Sequence, residues 1–153
     1  MTNAEVDQSI KVNDLARDSV LAIANGISFA IVIPASVKRA LMEHLREKGK
    51  SRTAIAVFTF SLGLYLLLKN VVRSVDQIMI DVEYMGREPE IKNTLVSYLR
   101  RDDPGFDATR ILFGHIGKQS RAHHLAIEIA RRRRTPNRRI SEAEIFGVLA
   151  KRK

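Results

Sequence analysis

A chain of 153 residues with a net charge of +9 and no cysteine has the length of one domain, and it excludes disulfides, thiolate catalysis and cysteine-ligated zinc. Hydrophobic residues at 45% and charged residues at 28% are globular proportions and exclude wholesale disorder. The charge is uneven: residues 1–117 carry 15 Lys+Arg against 14 Asp+Glu, or +1, and residues 118–153 carry 11 against 3, or +8. A basic region so concentrated draws a polyanion, nucleic acid before an anionic membrane.

The opening MTNAEVDQSIKVNDLARD is polar and mixed in charge rather than basic and then apolar, so a cytoplasmic location is expected. Residues 1–17, with Val6, Ile10, Val12 and Leu15 scattered among polar positions, are expected to form a mobile segment ahead of the domain. Over residues 18–26 two readings compete. Asn25-Gly26 between apolar runs signals a tight hairpin turn, because both residues tolerate positive φ. The spacing of Val12, Leu15, Ala16, Val20 and Ile23 equally fits a helix stopped by Gly26. On either reading ISFAIVI, residues 27–33, is a strand closed by Pro34.

Ser36 is the expected N-cap of a helix over 37–48 with Val37, Leu41, Met42 and Leu45 on its inner face and Glu43 elsewhere on it. A long apolar helix over 52–74 follows. Its uncharged run from Thr53 to Leu68 is shorter than the ~20 residues of a spanning helix, so it is expected in the core, with a homo-oligomer seam through 53–68 as the alternative and no membrane partner. QIMIDVEY from Gln77 reads as a strand, residues 88–101 as a helix with Glu88 and Glu90 complementing its dipole, and ATRILFGHIG as another strand. Ser120 caps a helix over 121–134, Pro136 breaks RRRRTPNRR, and Ser141 with Glu144 has capping-box spacing ahead of a short last helix. The predicted organisation is a single α/β domain over 18–134 and a basic C-terminal element over 135–153, with a mixed β-sheet (hairpin plus parallel strands) flanked by helices.

Chemistry gathers past two predicted strand ends, where ligands bind in a parallel sheet. Asp81 and Glu83 lie two apart and so share a face of a continuing strand, and paired hard oxygens suit Mg²⁺ or Mn²⁺. GKQSRAHH offers Lys118, the Ser120 hydroxyl, Arg121 and free helix-start amides to a phosphate, although it lacks P-loop spacing. His123 and His124 leave a helix about 100° apart, which makes joint ligation of one metal awkward, and His123 is expected to assist as a proton donor or shuttle. Arg131, Arg132, Arg133 and Arg134 with Arg138 and Arg139 are suited to phosphate-backbone binding. Aromatic residues are 6% of the chain and do not interleave with that run, which argues against a single-strand stacking platform.

A hairpin, a helix bearing an acid, a strand ending in IDVEY and further strand–helix units resemble the ribonuclease H-like fold of nucleases, resolvases and transposases, over residues 18–134. The resemblance implies that Glu43 and Asp81 match the family's metal-binding acids, with Glu83 a local substitute. The family also carries an Asp on its first strand, and SVLAIAN, taken as that strand, has none. The expected function is a nucleic-acid-acting, metal-dependent nuclease or phosphodiester hydrolase on DNA or RNA, with Asp81, Glu83 and His123 catalytic. The alternative is a non-enzymatic nucleic-acid-binding or assembly module that uses its arginine-rich surface.

Overall fold

The computed structural model describes residues 3–150. Its first strand, β1 (Asn3–Ser9), lies in what was expected to be a mobile segment, and it sits inside a six-stranded sheet. Ala4 and Val6 point into one core while Glu5 and Asp7 alternate to the other face, and polar residues continue to the strand's end. With two apolar residues on its inner face, β1 carries little of the hydrophobic pattern of a strand. Its partners, not its own propensity, make it one.

The hairpin reading of 18–26 holds. β2 (Ser19–Ala24) and β3 (Ser28–Ile33) pair antiparallel, and Asn25 and Gly26 turn the chain at φ 82° and 86°. α1 (Ala35–Glu47) begins two residues before the expected start, because the Asp18 carboxylate, rather than Ser36, caps it by accepting from the Ala35 N–H at 2.8 Å. α2 (Arg52–Leu68) is shorter than expected and is followed by a one-turn 3-10 helix at Val72–Ser74. Every residue from Thr59 to Leu68 is buried, and no helix among the described residues is long and apolar enough to cross a membrane. From Thr59 onward α2 packs its apolar surface against β2, β3 and α3.

β4 (Gln77–Asp81), α3 (Glu88–Asp102), β5 (Ile111–Gly114) and α4 (Arg121–Ala130) complete the alternating half. β6 (Arg138–Arg139) then joins β3, and α5 (Glu142–Ala150) closes the described chain behind Ser141, whose Oγ accepts from the Glu144 N–H at 3.0 Å. Residues 151–153 of the expected C-terminal element lie outside the described residues. The sheet order is β5-β4-β1-β2-β3-β6; β1–β2 and β2–β3 are antiparallel, and β1–β4, β4–β5 and β3–β6 parallel.

The two faces are unlike. α1, α2, α3 and α5 bury large side chains such as Leu41, Phe60, Leu62 and Leu95 against one. Among the described residues α4 alone covers the other, on a floor of Val20, Ala22, Ala24, Ala30 and Val32 met by Ala122, Leu125, Ala126 and Ile129. Facing alanines allow close approach of helix to sheet, which brings the first turns of α4 down onto β1.

Candidate metal centre

The registered pairing of β1 with β4 ends at Val6 opposite Ile80, both in the large core. One residue further along each strand come Asp7 and Asp81, side by side on the α4 face by the alternation of a strand. The chain then leaves β4 and returns Glu83 to the same place. Asp7, Asp81 and Glu83 each present an oxygen within 4.8 Å of the others. Two oxygen ligands of one hard divalent cation lie up to about 4–5 Å apart, so these three carboxylates could hold such a cation together.

Both oxygens of Asp7 are held. Oδ1 accepts from the Gln8 N–H at 2.8 Å, and Oδ2 lies 2.8 Å from Nδ1 of His123 on α4. An ionised carboxylate only accepts, so Nδ1 carries the proton of that bond and Nε2 keeps a lone pair unless the ring is charged. Asp81 Oδ1 accepts from the Ile116 N–H at 2.9 Å, which ties the loop after β5 to the site. Burial, then a hydrogen bond and charge repulsion from Asp81, push the Glu83 carboxyl from its ordinary 4.5 up to about 8. Among the described residues no lysine or arginine makes an ion pair with any of the three acids. Their mutual repulsion is therefore uncompensated by a lysine or arginine ion pair.

A further polar group adjoins them: Gln8 is 8% exposed, and its amide lies against Glu83 and Tyr84.

The structure thus joins three residues singled out from sequence, Asp81, Glu83 and His123, and adds Asp7, which sequence reading missed with the strand that carries it. The alternation of Ala4 and Val6 with Glu5 and Asp7 was the available signal. Glu43 is not part of this group; it is exposed on α1 and lines a different groove with Arg39, Met42 and Arg46. α1 presents its inner face to the core of the opposite sheet face, so an outward position on it does not reach the cluster.

The basic half is rearranged as well. Ser120 caps α4 as expected, its Oγ accepting from the Ala122 N–H at 3.1 Å, but the same hydroxyl donates to Glu5 Oε1 at 2.9 Å. The Glu5 carboxylate thus already takes the proton of the hydroxyl expected to meet a phosphate. Lys118 and Arg121 are exposed around the helix start. α4 stops at Ala130 instead of 134, and Arg132 turns the chain at φ 61°. Arg131 to Arg134 consequently leave the helix as an exposed run. Arg138 is bound to Glu144 at 2.7 Å and Arg139 to Asp18 at 3.3 Å. No family model, no curated protein and no solved structure matches this chain.

Proposed function

We propose that this chain is a cytoplasmic, metal-dependent phosphodiester hydrolase acting on nucleic acid, with Asp7, Asp81 and Glu83 holding Mg²⁺ or Mn²⁺. The observation that carries the reading is the convergence of these three carboxylates within 4.8 Å, without a lysine or arginine partner, at the ends of parallel strands. A hard divalent ion bound there would offset phosphate charge and acidify an attacking water. Asp7 and Asp81 are fixed by hydrogen bonds before any ligand arrives, which is the preorganisation that such a site requires. Glu83 must lose its proton to join them. His123, held through Nδ1 by Asp7, has Nε2 available to accept or return a proton near the cluster.

The ribonuclease H-like resemblance gains support from the same residues. On this reading Asp7, on a strand that precedes the hairpin in the chain, would stand for the missing first-strand acid, and Glu43 would lie outside the ligand set. The test is cleavage of mixed DNA and RNA substrates with Mg²⁺ or Mn²⁺, comparing the wild type with Asp7→Asn and Asp81→Asn. Metal-dependent cleavage lost in both variants is the expected result. Absence of cleavage by the wild type, or cleavage undiminished in either variant, refutes the assignment.

A further inference from the structure

Beyond the acid cluster, the strongest charge feature is where Arg131 to Arg134 stand. Two grooves flank them. One, of about 770 Å³, runs between α4 and the β2–β3 turn and is lined by Asn25, Gly26, Arg121, His124 and Arg131 among others. The other, of about 600 Å³, lies toward β3 and is lined by Arg17, Arg132, Pro136 and Arg139 over an apolar floor that includes Val32 and Ile129. Arg133 and Arg134 line both. The run is therefore a ridge of arginines with a basic channel on each side. Four arginines face one glutamate, Glu128, in the first groove, and five face one aspartate, Asp18, in the second. The ion pairs that these acids make are Arg133–Glu128 at 3.9 Å and Arg139–Asp18 at 3.3 Å, and among the described residues Arg121, Arg131, Arg132 and Arg134 have no carboxylate partner.

The linings also exclude one mode of recognition. Apart from the imidazole of His124, neither groove presents an aromatic ring, and unpaired bases are held chiefly by stacking on such rings. Guanidinium groups over small or apolar residues read phosphates. We propose that the ridge enters a groove of double-stranded nucleic acid, with the two phosphodiester backbones seated in the channels on either side. The proposal rests on the reading of this chain as acting on nucleic acid and narrows that substrate to the paired form. Eight residues of helical rise separate His123 from Arg131, about 12 Å, so the ridge would engage the duplex roughly three to four base pairs from the acid cluster at about 3.4 Å per pair.

The experiment is equilibrium binding in EDTA, where no cleavage intervenes, so that failure of this surface is distinguishable from failure of the hydrolase reading. Fluorescent 20-base-pair DNA and RNA duplexes, single strands of the same length, and phosphatidylserine vesicles are titrated with the wild-type chain. A variant carrying Arg131→Ala, Arg132→Ala, Arg133→Ala and Arg134→Ala is compared with it after its melting temperature is checked; Arg121→Ala serves as a second variant outside the turn, should the first fail to fold. One or both duplexes are expected to bind at least tenfold tighter than the single strands, and the two duplex arms tell DNA from RNA. The quadruple variant is expected to lose at least tenfold and to flatten the log–log salt slope by about 3 to 4, four phosphate contacts at about 0.9 each. Arg121→Ala should flatten it by about 1. Single strands bound as tightly as duplex, vesicles bound in preference to both, or a slope unchanged in the folded variants would overturn the proposal.

Discussion

Nδ1 of His123 lies 2.8 Å from Oδ2 of Asp7, across 116 residues of sequence, and this bond fastens α4 to the strand that carries the first acid of the cluster. Asp7 is 7% exposed and His123 more open to solvent, so the imidazole serves as the wall of the site as well as its anchor. Partners of this kind orient metal ligands, and their loss costs about 10–100-fold in metal affinity. His123→Ala is accordingly expected to weaken Mn²⁺ binding by about 10–100-fold, measured by calorimetric titration. Asp7→Asn should remove measurable binding under the same conditions. Equal Mn²⁺ affinity in wild type and His123→Ala would show that the contact positions nothing.

Glu83 predicts a pH dependence with a definite sign. Its carboxyl is raised from 4.5 to about 8 by burial first and by Asp81 second. Between those values the folded chain retains a proton that the unfolded chain has released. Stability contributed by this group is thus complete below about pH 4.5 and declines as pH rises to about 8. Relative to Glu83→Gln, the metal-free wild type should lose stability steadily over that range, as read from urea midpoints in EDTA. Mn²⁺ must displace the same proton, so its affinity for the wild type should climb toward pH 8 and level off above it. A flat difference between wild type and variant across the range contradicts the assigned ionisation.

Much of the scaffold is legible in local chemistry. Asn25-Gly26 marks the hairpin, Ser120 and Ser141 cap the helices expected of them, and QIMID and ILFG are strands because β-branched and apolar residues sit between turn formers. The failures share a cause, which is that the deciding partner is remote in sequence. β1 has two inward apolar residues and is a strand because β2 and β4 pair with it on either side. Asp18 caps α1 from 17 residues away. α4 ends at Ala130 through a left-handed Arg132, where arginine, unlike glycine, gives no stop signal. Asp81, Glu83 and His123 are legible as candidates, since strand ends and helix starts collect ligands. Their common centre, Asp7, is not, because a buried acid near the start of a polar stretch reads as a solvated one.

Gly63 is the point at which α2 touches the sheet. A Cβ there would stand 2.6 Å from Leu21 Cδ1 and 3.0 Å from Ile33 Cδ1, and both of those side chains are fully buried. Neither has space to retreat. Gly63→Ala gains about 1 kcal/mol of helix propensity against an overpacking cost of about 1–3 kcal/mol, and the net change should be small or unfavourable. Gly63→Val adds two more methyl groups with a poorer helix former, and a loss of about 2 kcal/mol or more is expected from chemical denaturation. A Gly63→Val protein as stable as the wild type would mean that α2 is free to lift from β2 and β3.

Lys38 holds the segment that follows β1. Its side chain is almost wholly buried, and its Nζ donates to the Asp14 carbonyl and, at 2.7 Å, to Ser19 Oγ. An ammonium so placed ties the 10–18 loop to α1 with no carboxylate against it. Burial lowers its pKa from 10.5 to about 8, despite the opposing pull of Asp14 and Asp18. The folded chain therefore sheds this proton before the unfolded chain does, and the contribution to stability is complete above about pH 10.5 and lost as pH falls through about 8. Lys38→Met keeps the length of the stem and removes the titration. The stability of the wild type relative to this variant should rise between pH 8 and 10.5, measured by urea denaturation at closely spaced pH values. Near pH 7 the variant leaves the Asp14 carbonyl and Ser19 hydroxyl without their donor, and a loss of about 1–3 kcal/mol is expected there from the unsatisfied groups, opposed by relief of the buried charge. A difference that does not vary with pH would place the Lys38 ammonium in water, with the loop held by other contacts.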